Sequence, residues 1–305
     1  MSDGTHIEWT NASWNVASGC TRVSAGCSHC YIERTPPFRM AGRRFDGPDV
    51  GATTGVMLHP ERLMQPVAWK KPRRIFVCSL ADLFHKDIPD AHIAKTWATM
   101  ARTPQHTYQV LTKRPARMRS LLRSWDFELM VEAVCGHHDF EWPLPNVWCG
   151  TSVENQETAD LRIPILLDAP AAVRWISAEP LLGPVDLAGY LGGCSCAGGF
   201  AFESTSGAVH EPGCGDLEAL SWVVAGGESG PGARPLNVAW IRRIVQDCQQ
   251  SGVPVLVKQL GSVWARDMFV AGLPVSRHDP KGGDPENWPA DLQVRQYPRE
   301  APDGA

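Results

Sequence analysis

Short apolar runs, each closing on a cluster of polar and ionisable residues, alternate along this chain with stretches of helical spacing. Residues 74–78 read as a buried strand closing on Ser79-Leu80-Ala81-Asp82, after which Asp90 is placed to cap a helix carrying Ile93, Trp97 and Met100. Residues 107–111 read as a strand closing on Thr112-Lys113-Arg114, with Pro115 suited to the first turn of the next helix. Further strands are expected at 146–150, closing on Ser152-Val153-Glu154-Asn155, and at 173–176, closing on Ser177-Ala178-Glu179-Pro180. The last two are 221–225, followed by Gly226-Gly227-Glu228-Ser229-Gly230, and 255–257, followed by Lys258-Gln259. A weaker strand within 13–16, a short helix at 60–69, and a helix capped by Asn237 with Ile241, Ile244, Val245 and Cys248 on one side complete the pattern.

Six or seven strands separated by helices imply parallel pairing through right-handed crossovers. The polar residues gather at nearly every strand's C-terminal end, as in a (β/α) barrel, whereas a doubly wound sheet concentrates them at one switch point. The expectation is an α/β fold, a full or partial (β/α) barrel, over residues 1–275. A Gly- and Cys-rich insertion at 189–216 interrupts it, and a Pro/Gly-rich tail at 276–305 reads as loosely ordered or as a lid.

With 305 residues, 43% hydrophobic and 20% charged, the composition is that of a globular enzyme, and no apolar run approaches the ~18 residues that span a bilayer. The N-terminus lacks the basic and apolar regions of a secretory signal, so a cytoplasmic protein, with no membrane partner, is expected, its ten cysteines reduced. A net charge of −4 argues against coating nucleic acid through overall charge. Two basic runs, Lys70-Lys71-Pro72-Arg73-Arg74 and Lys113-Arg114-Pro115-Ala116-Arg117-Met118-Arg119 with Arg123 beyond, read as solvated surface before they read as a phosphate groove. Of the twelve tryptophans, Trp97, Trp148, Trp175 and Trp222 sit in helix or strand patterns and read as core.

The densest chemistry is in residues 19–31, where Cys20, Cys27 and Cys30 fall within eleven residues. Three thiolates suit a four-iron cluster that keeps one iron open; the competing reading is three-quarters of a zinc site completed by His29 or a distant residue. Cys194, Cys196, His210 and Cys214 in the insertion have a spacing that suits a structural zinc, and Cys135 with His137 and His138 forms a weaker clip. The glycines of 226–232 would let backbone approach a ligand, a phosphate included, although they match neither phosphate-loop fingerprint.

Trp14-Asn15 through Tyr31, the Glu179-Pro180-Leu181-Leu182-Gly183-Pro184 segment and the Gly226 to Pro231 segment resemble a phage- and prophage-associated branch of the radical S-adenosylmethionine superfamily, over about residues 7–261. The superfamily's commonest spacing is Cys-x3-Cys-x2-Cys with an aromatic before the last cysteine. Here six residues separate Cys20 from Cys27, and His29 takes the aromatic's place. The superfamily's Gly-Gly-Glu element follows an early strand; here it follows a late one, so its amino-binding role is not carried to Glu228.

The resemblance implies a [4Fe-4S] cluster on Cys20, Cys27 and Cys30, with S-adenosylmethionine on the open iron and a 5′-deoxyadenosyl radical as the reactive species. By chemical need, Ser79 and Asp82 would receive the amino group, Lys113 or Lys258 the carboxylate, and Ser152 with Glu154 the ribose. Gly226 and Gly227 would line the ligand, while Glu179 and Glu228 remain for substrate, as acid or base. The implied substrate is a nucleotide or a base in DNA, and the electron donor a flavodoxin or ferredoxin. Two other readings stay open: a zinc-stabilised nucleic-acid-binding module, and a barrel hydrolase or transferase with structural cysteines.

Overall fold

The computed structural model describes residues 5, 7–136, 139–192, 219–272 and 279–298. The chain divides into two compact units, Met1–Ser152 with Leu161–Val173, and Val153–Asp160 with Arg174–Ala305.

In the first unit β1 (Ala12–Trp14) leads through β2 (Ala17–Ser18) into the cysteine loop. There follow α1 (Pro36–Met40), β3 (Met57–Leu58), β4 (Arg74–Val77), α2 (Asp90–Ala101), β5 (Thr107–Thr112), α3 (Pro115–Leu122), α4 (Trp125–Cys135) and β6 (Val147–Ser152). Next, α5 (Gln156–Leu167) runs through the boundary between units, and the second unit carries β7 (Val173–Ala178), β8 (Trp222–Gly226), α6 (Val238–Gln250), β9 (Val255–Gln259) and α7 (Ser262–Val270). Seven strands form one sheet in the order β1-β4-β5-β6-β7-β8-β9, with parallel pairing of β1 to β4, β4 to β5, β5 to β6, β7 to β8 and β8 to β9. Strand order follows chain order without reversal, the topology of a partial (β/α) barrel and not of a doubly wound sheet. All residues of β6 and β8 are buried, as expected of parallel strands covered on both faces.

Several local expectations shift, each for a visible reason. β1 stops at Trp14 because the Asn15 side chain turns back to accept from Leu80 N (2.9 Å) and Ser79 Oγ (3.2 Å), and Ala17–Ser18 pairs instead with β3. The helix expected at 60–69 is two single 3₁₀ turns, Pro60–Arg62 and Gln65–Ala68, each opened by a proline near its start. Asp90 occupies the first helical position of α2 behind Pro89 and pairs with Arg117 rather than capping. Pro115 does open α3, and Asn237 Oδ1 caps α6 by accepting from Ala239 N at 3.0 Å.

The four core tryptophans are buried as expected, with Trp175 and Trp222 packed ring to ring, centroids 5.2 Å apart. Residues 279–298 correct the expectation of a loose tail or lid. Val257 N donates to Val294 O and Gln296 N to Val255 O, both 2.9 Å, so the segment adds an antiparallel edge to β9. Trp288 and Leu292 of this segment are buried. Its last described turn also covers Trp222, whose Nε1 donates to Gln296 O. Among the described residues no helix is long and apolar enough to cross a membrane.

Candidate functional site

The cysteine loop is built on a glycine. Gly19, at φ +102°, lies so close to the 55 carbonyl that a Cβ would stand 1.7 Å from that oxygen. Leaving that position, the backbone of Cys20 exchanges bonds with Thr54: Cys20 N donates to Thr54 Oγ1 (3.0 Å), and Thr54 N to Cys20 O (3.0 Å). Arg22 N likewise donates to Ala52 O, and the Arg22 guanidinium reaches the carbonyls of Gly47 and Pro48 while lying over the Phe45 ring. Residues 47–54 thus serve as the bed of the loop. A 3₁₀ turn, Ala25–Cys27, then brings Cys27 and Cys30 round, with Cys30 N bonded to Cys27 O. Tyr31 follows at once and donates its hydroxyl to the Ser79 carbonyl at the end of β4.

Cys30 acts on Cys20, and Cys27 on Cys30. Burial, then Asp82, pushes the Cys20 thiol up to about 12, with Arg114 opposing and Cys30 adding to the rise. The Cys30 thiol is raised by burial and by Cys27, with the Ile32 backbone, Lys113 and Arg22 opposing. Arg114 reaches over from the end of β5: its Nη1 donates to Cys20 Sγ at 3.8 Å and to Asp82 Oδ2 at 2.7 Å, and its Nη2 to Thr21 O at 2.9 Å. Its guanidinium is more firmly charged than usual, because Asp82 and Cys20 outweigh the burial that disfavours the charge.

Among the described residues no three His, Cys, Asp or Glu side chains gather as they would round a single ion. The loop's fit to a metal group therefore rests on its donors. Three free thiols, Cys27 buried and Cys20 and Cys30 half-buried, are flanked by cations that offset thiolate charge, a set suited to an iron–sulfur cluster. The zinc set at Cys194, Cys196, His210 and Cys214 lies outside the described residues, as do His137 and His138 of the weaker clip.

Asp82 is already committed within the protein. Its Oδ1 accepts from Phe84 N (3.0 Å) and Thr112 Oγ1 (2.7 Å), its Oδ2 from Lys113 N (3.0 Å) and Arg114. Ser79 donates to Asn15. The second basic run is committed too: Arg117 binds the carbonyls of His85 and Ile88 as well as Asp90, while Arg119 and Arg123 share Asp168. Lys70 and Lys71, by contrast, are exposed. Ser152, at the end of β6, is buried, and its carbonyl takes a bond from Arg162.

In the second unit, the ends of β7, β8 and β9 converge. Glu179 accepts from Lys258 Nζ through both oxygens, at 2.7 and 2.9 Å, and from Gln259 Nε2 at 3.1 Å. Glu228 is 6% exposed and held by Arg234, whose backbone N and Nε reach Oε2 at 2.8 and 2.9 Å and whose Nη2 reaches Oε1 at 2.6 Å. Buried Glu154 adds its field to the same guanidinium. The Gly226-Gly227 pair does not stand open as a ligand cradle. A Cβ on Gly227 would meet the Leu260 carbonyl oxygen at 2.5 Å, and Gly227 N donates to Gln259 O, so this glycine is required by backbone-to-backbone packing of the β8 and β9 ends.

Residue pattern points to the carboxylates at these strand ends but not to their partners Arg234 and Gln259, nor to the Arg114 contact to Cys20. Arg234 carried a usable signal, since it stands six residues after Glu228 in the same glycine-rich turn. The Arg114 contact joins residues 94 apart and had none.

No curated protein and no solved structure matches the chain. Residues 4–286 match the family described as Protein of unknown function (DUF5131), and the chain belongs to that family.

Proposed function

We propose that this chain is a radical S-adenosylmethionine enzyme in which Cys20, Cys27 and Cys30 hold a [4Fe-4S] cluster. The observation that carries the reading is three free thiols on one short loop, Cys30 coupled to Cys20 and to Cys27, with a guanidinium on Cys20. Bound there with S-adenosylmethionine, the cluster would supply a 5′-deoxyadenosyl radical that takes hydrogen from a substrate, the hard chemistry being the cofactor's.

The protein's own share is positional. Gly19 and the 51–54 strip fix where Cys20 points, Arg114 and Lys113 offset thiolate charge, and Tyr31 ties the loop to the end of β4. In the second unit, Glu179 and Lys258, 16% and 18% exposed, offer substrate a carboxylate and an ammonium already in contact. Glu228, locked by Arg234, is assigned to support of that rim. The substrate class we assign is a nucleotide or a base in DNA, and the reductant a flavodoxin or ferredoxin.

The test is anaerobic purification and reconstitution with iron and sulfide, followed by metal and sulfide analysis and electron paramagnetic resonance of the reduced protein. The expected result is about four irons per chain, lost in Cys27→Ala, and S-adenosylmethionine cleavage on reduction. A colourless chain that retains zinc after the same treatment, or iron uptake untouched by Cys27→Ala, refutes the reading.

A further inference from the structure

We propose that Arg114, held in place by Asp82, is a positioning residue that sets the reduction potential of a cluster on Cys20, Cys27 and Cys30. The inference rests on the cluster reading above.

The geometry singles out this cation. The side chains of Arg114 and Asp82 are 17% and 8% exposed, so the guanidinium's field on the sulfur is little screened by solvent. One nitrogen, Nη1, touches both Cys20 Sγ and Asp82, while Nη2 is fixed on the Thr21 carbonyl one residue beyond the cysteine. The backbone is pinned as well: Arg114 N donates to Thr112 Oγ1 at 2.8 Å, and that hydroxyl donates to Asp82. The donors to Asp82 come from the 82–84 turn and the 112–114 turn. Asp82 therefore clamps the turn after β4 to the turn after β5, and Arg114 carries that anchorage to the cysteine loop. A lysine could carry the charge but not the fork that reaches sulfur, carboxylate and carbonyl together.

Reduction of a cluster brings one electron and no proton onto a thiolate-ligated group, with no bond made or broken. A fixed cation at one thiolate stabilises the added negative charge, and a neighbouring carboxylate opposes it. The pair should thus act with opposite signs on potential although it acts with one sign on architecture. That difference separates an electrostatic role from a merely structural one.

The experiment is a redox titration of the reconstituted chain, with dithionite as reductant, mediator dyes and the resonance signal of the reduced cluster as readout, and iron content measured in parallel. Arg114→Met should lower the equilibrium constant for reduction about tenfold or more, about 59 mV or more toward negative potential. Asp82→Asn, which keeps the guanidinium and removes the opposing charge, should move the potential the other way, and Arg114→Lys, which keeps the charge but not the fork, should fall between the parent and Arg114→Met. An unchanged potential in Arg114→Met, or shifts of the same sign in Arg114→Met and Asp82→Asn, overturns the proposal while leaving the cluster reading intact. Should Arg114→Met not load iron, the sign of the Asp82→Asn shift decides alone. A parent chain that takes up no iron overturns both readings.

Discussion

Replacing Gly19 by alanine probes how tightly the cysteine loop is held. The residue sits at φ +102°, where an L side chain costs about 1–2 kcal/mol. Its Cβ would stand 1.7 Å from the 55 carbonyl oxygen and 2.4 Å from Arg43 Nη2. The arginine can swing aside, but the carbonyl is backbone and already accepts from Arg43 at 2.7 Å, so the strip must move and lose that bond. Overpacking of this kind adds about 1–3 kcal/mol, for a total of about 2–5 kcal/mol. Gly42 is the matched control: it too has positive φ, +63°, but a Cβ there meets nothing within 4 Å, leaving only the conformational cost of about 1 kcal/mol. At about 2–4 °C per kcal/mol, the difference of about 1–4 kcal/mol means that thermal unfolding of Gly19→Ala should fall about 2–16 °C further than that of Gly42→Ala. Equal shifts in the two variants would refute the argument that backbone approach, and not backbone conformation alone, demands glycine before Cys20.

Arg234→Ala should destabilise the chain by about 3 kcal/mol, because it strips two charge-assisted bonds from the buried Glu228 carboxylate. Adding Glu228→Gln should recover part of the loss in urea unfolding, and a double variant less stable than Arg234→Ala would contradict this. His92 is buried with its Nε2 on the Val16 carbonyl, and burial holds its pKa below the ordinary value of 6.5. The unfolded chain then binds the proton more readily, so this contribution to stability is complete above pH ~6.5 and is lost as pH falls through the depressed folded value. Thermal scans from pH 7.5 to 5 should show falling stability, with a shallower slope in His92→Gln; an identical slope would remove His92 from the account.

The sequence by itself determined much of the local architecture. Apolar runs of strand length, prolines suited to first turns and an Asn-capped amphipathic helix each specify bonds between near neighbours, and β4, β5, β6, α3 and α6 stand close to where those patterns place them. The order of alternation also carried the topology, because a parallel strand that follows a helix packs beside its predecessor by a right-handed crossover. The three cysteines were legible for the same reason, since eleven residues of chain and one 3₁₀ turn keep Cys20, Cys27 and Cys30 on a single short loop.

What only the tertiary structure decided is which charges meet. Lys113 and Arg114 are alike as residues in a basic run, yet the turn after β5 delivers Arg114 to Asp82 and Cys20, 32 and 94 residues away. Lys258 spends both its short contacts on Glu179, 79 residues earlier, and Gly227 yields its missing side chain to the Leu260 backbone. Residue type and spacing state what a group can bind. Its partner is chosen by strand register and loop direction, which depend on the packing of the sheet rather than on any local pattern.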